Sequence, residues 1–206
     1  MSDSVERRKL ARAAAHLAVH RGLAVPPLVL MTDDARLADP LAAASALPRG
    51  SMVVVRARDA AKRAALARGL MTLSRMRSLI VLVADDPALA ASCGADGLHL
   101  PETRLGEAMH QRARHPTWLI SASAHSLAAL GKAMRLPVDA VFLSPVFATQ
   151  SHLGRAALTV VRANLIAGST MLPVYALGGV DARNARLLSA RSFAGIAAIG
   201  ALNVQA

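Results

Sequence analysis

The sequence predicts an α/β fold: a single-domain (β/α)8 TIM barrel with an extra N-terminal helix. Three observations carry this. Eight short apolar runs alternate with Ala/Leu/Arg stretches of helical composition along 206 residues, the pattern of a buried parallel sheet covered by helices. The last two runs end in glycine, at Gly178-Gly179 and at Ile199-Gly200, where a helix should begin. The loops after the final strands of such a barrel commonly hold a phosphate on bare backbone N–H groups. No Gly-x-Gly-x-x-Gly follows the first run, which argues against an open doubly wound sheet.

The elements follow in order. Residues 4–21 are rich in Ala and Arg and read as a helix, with Ser4 a candidate N-cap and Gly22 its end. Pro26-Pro27 reset the backbone to an extended path. Strands are expected at 28–31, 52–57, 79–84, 97–100, 118–123, 140–143, 173–177 and 196–199. The second and third are dense in Val, Ile and Leu, as strands buried on both faces require. The longest insertion beside a strand end is 145–157. No linker or low-complexity tract divides the chain, so residues 1–206 are read as one domain, with 1–25 as a helical extension.

Composition bounds the partners. Hydrophobic residues make up 54% and charged residues 18%, which excludes a disordered chain. The N-terminus lacks an apolar signal region, and no run is long enough to span a membrane. A single cysteine, Cys93, rules out an internal disulfide and fits a reducing compartment, the cytoplasm. The net charge of +11 is nearly all Arg and is spread along the chain. It reads either as Arg-rich composition or as attraction for anions. Aromatics are only 2%, so stacking platforms for single strands are scarce and nucleic acid is not the expected partner. Small-molecule phosphate esters are; a homo-oligomer stays open.

In the run Val53-Val54-Val55-Arg56-Ala57-Arg58 side chains alternate faces, placing Val54, Arg56 and Arg58 on one face. Two guanidinium groups at a strand's C-terminal end form a clamp for phosphate; the alternative is a pair of surface arginines. Two charges on a strand buried on both faces need a reason. Asp85 follows strand three directly and suits Mg²⁺ ligation, whereas Asp86, before Pro87, suits the N-cap of the next helix. Ser121 and Ser123 share a face at the end of strand five, as donors to a leaving phosphate oxygen or as filling for a tapering barrel. His125 is a proton-transfer group or a helix-start residue. Thr149, Ser151 and His152 offer polar donors in the loop after strand six. His99, between two leucines, reads as structural. The converging strand ends are expected to make a positively lined pocket.

These motifs resemble those of the thiamine-phosphate synthase and thiazole tautomerase family, from about Val53 to Leu202. The resemblance rests on Gly94-Ala-Asp-Gly-Leu-His-Leu100, Ser121-Ala-Ser-Ala-His125, the segment from Asp139 to Thr149, and Pro173-Val-Tyr-Ala-Leu-Gly-Gly-Val180. It implies a TIM barrel, Mg²⁺, and coupling of hydroxymethylpyrimidine diphosphate to thiazole phosphate with release of pyrophosphate. It assigns the anion clamp to Arg56 and Arg58, a metal carboxylate to Asp85 and the motif serine to Ser123. Substrate contacts fall to Thr149, Ser151, His152, Gly179, Ile199 and Gly200. Arg104 stands where the family has a second metal carboxylate, with Glu102 close by, and is expected to bind substrate by neutralising pyrophosphate in the metal's place. Pro145 stands where the tautomerase branch has a histidine, which bears on the alternative of an isomerase. A further alternative is a catalytically degenerate homologue that only binds a phosphate ligand.

Overall fold

The computed structural model describes residues 3–21, 25–149 and 157–204. Eight parallel strands close into a barrel in sequence order: β1 (Leu28–Met31), β2 (Met52–Val55), β3 (Ile80–Ala84), β4 (Gly97–Leu100), β5 (Leu119–Ala124), β6 (Ala140–Leu143), β7 (Val174–Ala176) and β8 (Gly195–Ala198). β8 pairs with β1, Leu28 opposite Ile196, which excludes the open sheet. Around them lie α1 (Asp3–Arg21), α2 (Pro40–Ser45), α3 (Ala60–Arg77), α4 (Pro87–Cys93), α5 (Ala108–Arg114), α6 (Leu127–Ala133) and α7 (Val160–Gly168). Every expected strand is present, with ends displaced by one or two residues.

Period-two alternation sorts the core into two shells. Val29, Met31, Met52, Val54, Leu82, Ala84, Phe142 and Tyr175 pack inside the barrel. Val53, Val55, Val81, Val83, Leu98 and Ile120 face the helices. Phe142 and Tyr175 stack with ring centroids 5.0 Å apart in the interior, and the Tyr175 hydroxyl donates to the Pro26 carbonyl at 2.7 Å. The helices start where local chemistry dictates. Asp39, Asp59, Asp86 and Ser126 each accept an N–H from the first turn of α2, α3, α4 and α6. Asp86 is thus the cap, which leaves Asp85 to another role.

Two acidic residues in the quoted motifs work at the opposite end from the chemistry. Asp96 accepts the Val81 N–H at 2.7 Å, and Asp139 accepts the Ile120 N–H at 2.7 Å. Each lies just before its own strand and ties it to the start of the preceding one, at the N-terminal face of the barrel.

The helix α1 has a structural task. After β7 the chain makes a single 3-10 turn, Ala185–Leu187, and after β8 another, Gly200–Leu202. α1 packs against β8, β1 and both turns, covering the wall those short connections leave bare. Leu10, Ala14 and Leu17, one face at helical spacing, are buried there. Gly22, expected to end the helix, lies outside the described residues. Replacing Leu17 by Ala is expected to lower stability by about 2–5 kcal/mol in urea unfolding, whereas Val19→Ala, at a residue 77% exposed, should stay within about 0.5 kcal/mol.

Candidate active site

The strand C-termini and the loops after them surround an open cavity of about 1180 Å³. Its lining includes Arg56, Arg58, Asp85, Ser123, Thr149, Gly179, Ile199 and Gly200. Eight residues singled out from the sequence are therefore brought together at one mouth. Ser151 and His152 lie outside the described residues.

β2 stops at Val55 because the Thr32 side chain takes over its ladder. The Thr32 hydroxyl accepts the Arg56 N–H at 2.8 Å and donates to the Arg56 carbonyl at 2.9 Å. Arg56 and Arg58 therefore stand on the β2–α3 loop, both exposed to the cavity mouth. The expectation of charges forced into a buried strand is corrected: they follow the inward face of Val54, but beyond the strand's end. Arg56 pairs with Asp33 at 3.1 Å, which also pairs with Arg36 at 2.9 Å. The Arg36 hydrogen bond, chiefly, holds the Asp33 carboxyl below its usual range. The Arg58 guanidinium has no carboxylate partner among the described residues.

The expected surplus of positive charge at the mouth is also corrected. Arg36, Arg56, Arg58 and Arg63 line it, but so do Asp33, Asp34, Asp85, Glu102 and Asp181. Several of these carboxylates serve as staples between neighbouring loops. Asp34 accepts the Arg58 N–H at 2.9 Å, and Glu102 accepts the His125 N–H at 2.8 Å. Asp181 instead accepts from the backbone of Arg183 and Asn184 within its own loop. Their lone pairs point at backbone donors, so they hold the loops in register.

Asp85 adopts a left-handed backbone (φ 58°) directly after β3, a conformation aspartate tolerates better than most residues. Arg104 donates to the Asp85 carboxylate at 2.5 Å and grips Glu107 with two bonds of 2.6 Å. Glu107 first, and Asp85 next, raise the Arg104 guanidinium further above its ordinary value, so it stays charged. Arg104 lies behind Asp85 and is not among the residues lining the cavity. A Mg²⁺ held by protein carboxylates alone does not fit this arrangement. Asp85 already faces a guanidinium, Glu102 is spent on His125, and among the described residues no three His, Cys, Asp or Glu side chains converge.

The glycines of the β7 loop turn tightly, at φ 89° for Gly178 and 66° for Gly179. A Cβ on Gly179 would lie 2.4 Å from the Ala148 carbonyl oxygen, and one on Gly178 would lie 2.8 Å from the Pro145 backbone. Glycine there lets the β6 and β7 loops touch, which brings Thr149 beside the cradle. Gly200 stands in open space at the cavity edge.

His99 is the residue the sequence undersold. It projects from β4 into the barrel and forms part of the cavity floor. Its Nδ1 lies 2.9 Å from the Ser121 hydroxyl, and its Nε2 lies 2.9 Å from the Ser123 hydroxyl. Burial, then Arg56 and His125, push its pKa from 6.5 down to about 3. The signal available in the sequence was parity: His99 pairs in register with Ser121, and Ser123 is two residues on, on the same face. His125 sits at the rim, with Nδ1 2.8 Å from the Ser144 carbonyl.

Fold and mouth together define a TIM barrel with guanidinium, hydroxyl and glycine-turn donors around one cavity, the class that handles phosphorylated small molecules. Residues 28–202 match the thiamine monophosphate synthase family, and the chain belongs to it. The thiamine-phosphate synthase of Herpetosiphon aurantiacus is 31% identical over 169 residues, 80% of this chain and 81% of that one. That of Methanoculleus marisnigri is 36% identical over 129 residues, covering 60% and 59%. A solved thiamine phosphate pyrophosphorylase from Pyrococcus furiosus superposes with a TM-score of 0.68 at 22% identity, covering 83% of this chain and 84% of that one.

The neutral His99 has a measurable consequence. Unfolded, the ring protonates near 6.5; folded, it stays neutral down to about 3. Between these values the unfolded chain binds the extra proton, so stability falls as pH falls. At about pH 5 the loss from this group is about 2 kcal/mol relative to neutral pH. Urea denaturation across the pH range should show it, and His99→Gln should flatten that part of the curve.

Proposed function

We propose that this protein is a thiamine-phosphate synthase of the cytoplasm, joining hydroxymethylpyrimidine diphosphate to thiazole phosphate and releasing pyrophosphate. One observation carries the reading. The residues that the family resemblance singles out on five different strand–loop units, Arg56, Asp85, Ser123, Gly179 and Gly200, line the same cavity.

The chemistry assigned to the mouth is leaving-group stabilisation. The C–O bond between the pyrimidine methylene and the diphosphate breaks, the electron pair leaves with the diphosphate, and the thiazole nitrogen supplies the pair for the new C–N bond. Arg56 and Arg58 lie where they can take up charge on the departing oxygens. Ser123 adds a hydroxyl from the inner wall. The turns at Gly179 and Gly200, with Thr149 beside them, suit the phosphate of the thiazole partner. Magnesium bound to the diphosphate would supply further charge neutralisation; the side chains derived above do not by themselves build its site.

A second reading has its own observation. Arg104 engages the carboxylate of Asp85 at the cavity mouth, and a homologue that binds phosphorylated ligands without turnover would show that feature too. Incubation with both substrates separates the two, since pyrophosphate release supports the synthase and saturable binding without release supports the binder.

Arg58→Ala is expected to lower kcat/KM on the order of a hundredfold, while the exposed Arg114→Ala on α5 changes it less than about twofold. Arg104→Ala frees the Asp85 carboxylate. The expected outcome is half-maximal pyrophosphate release at a lower magnesium concentration; an unchanged magnesium curve would show that the pair does not compete with the ion.

A further inference from the structure

His99 stands between two hydroxyls that differ in one respect. Ser121 is fully buried, and among the described residues the one partner of its hydroxyl is His99 Nδ1 at 2.9 Å. Ser123, two residues further along the same face of β5, reaches the cavity as well as His99 Nε2. Phe142 packs against the imidazole, centroids 4.9 Å apart and planes at 82°, so the ring is held between the two serines. Its burial and the nearby Arg56 and His125 keep it neutral.

A neutral imidazole has one N–H donor and one bare nitrogen acceptor. Two assignments follow. If Nδ1 carries the proton, it donates to Ser121, whose own O–H is then left in the barrel interior with no acceptor. If Nε2 carries the proton, Ser121 donates to bare Nδ1, and the Ser121 hydroxyl and both ring nitrogens of His99 are satisfied. A buried donor without a partner forfeits its hydration with nothing in return, so burial of Ser121 selects the second assignment. Ser123 then accepts from Nε2–H, and its own O–H is left to point into the cavity.

We propose that His99 is a positioning residue that, pinned by Ser121, fixes Ser123 as a hydrogen-bond donor into the cavity and so selects a ligand presenting an acceptor oxygen there, such as a phosphoryl oxygen. Only the phosphoryl identity rests on the synthase reading. The direction of the relay Ser121→His99→Ser123 follows from burial and geometry. It also fixes what His99 does not do: with Nε2–H donating to Ser123, His99 is not a base that removes the Ser123 proton.

The test reads the tautomer directly. In protein labelled with ¹⁵N at histidine, the His99 resonances are assigned by their loss in His99→Gln. Nδ1 is expected in the bare-nitrogen range and Nε2 in the protonated range, unmoved between about pH 8 and about pH 5, where exposed histidines titrate. A protonated Nδ1 overturns the proposal. Ser121→Ala, which touches no ligand, supplies the second arm. It should shift the His99 signals towards a tautomer mixture and weaken binding of inorganic pyrophosphate about tenfold, the loss of one charge-assisted hydrogen bond, while unfolding stays cooperative. Unchanged signals and affinity in that variant also overturn it. If wild type shows the expected tautomer but binds no pyrophosphate, the relay stands and the synthase reading falls.

Discussion

Closure of the barrel is the constraint from which the rest follows. β8 must lie against β1 along its whole length, and the backbone there leaves no room: a Cβ on Gly195 would sit 2.3 Å from the Pro27 carbonyl oxygen. Once the ring is closed, every strand is buried on both faces, and alternate residues point into a narrow interior. Arg56, Ser123 and His99 then meet because they share inward parity near the C-terminal ends of their strands. Without closure, β1 and β8 would be edges, and residues from opposite walls would not face a common cavity.

The rim shows how a loop-built mouth keeps its shape. Asp34 reaches from the first loop to the backbone of the second, Arg104 from the fourth to Asp85 of the third, and Glu102 from the fourth to the backbone at His125. Carboxylates aimed at backbone N–H groups are satisfied acceptors. Their negative charge therefore sits beside Arg56 and Arg58 while serving to hold the loops. This local pairing explains why a chain of net charge +11 does not present a uniformly positive site. Among the described residues the Arg58 guanidinium has no carboxylate partner, whereas Arg56 and Arg104 are paired, so an anion at the mouth would meet Arg58 at the lowest cost of breaking existing bonds.

The interior also joins stability to chemistry. His99 packs edge-on against Phe142, which stacks on Tyr175, and yet forms part of the cavity floor. Its hydrogen bonds to Ser121 and Ser123 satisfy buried polar groups, and through them the floor of the site is fixed by the same packing that fills the barrel. α1 does the equivalent on the outside: it covers the wall beside the turn Gly200–Leu202 and so supports the segment after β8, which among the described residues forms no α-helix.

The sequence by itself determined the eight strands, their buried character and the parity that puts Val54, Arg56 and Arg58 on one face, since period-two patterning and local caps need no distant partner. The N-cap role of Asp86 was legible for the same reason: its partner is three residues away. What only the tertiary structure decided involves residues far apart in the chain. The end of β2 is set by Thr32, twenty-four residues earlier. Asp85 is engaged by Arg104 from the next loop, one strand over, and His99 became part of the site through two serines on a neighbouring strand. A residue's charge can be read from its name, but the partner that occupies that charge is chosen by which strand ends the closed ring brings within reach.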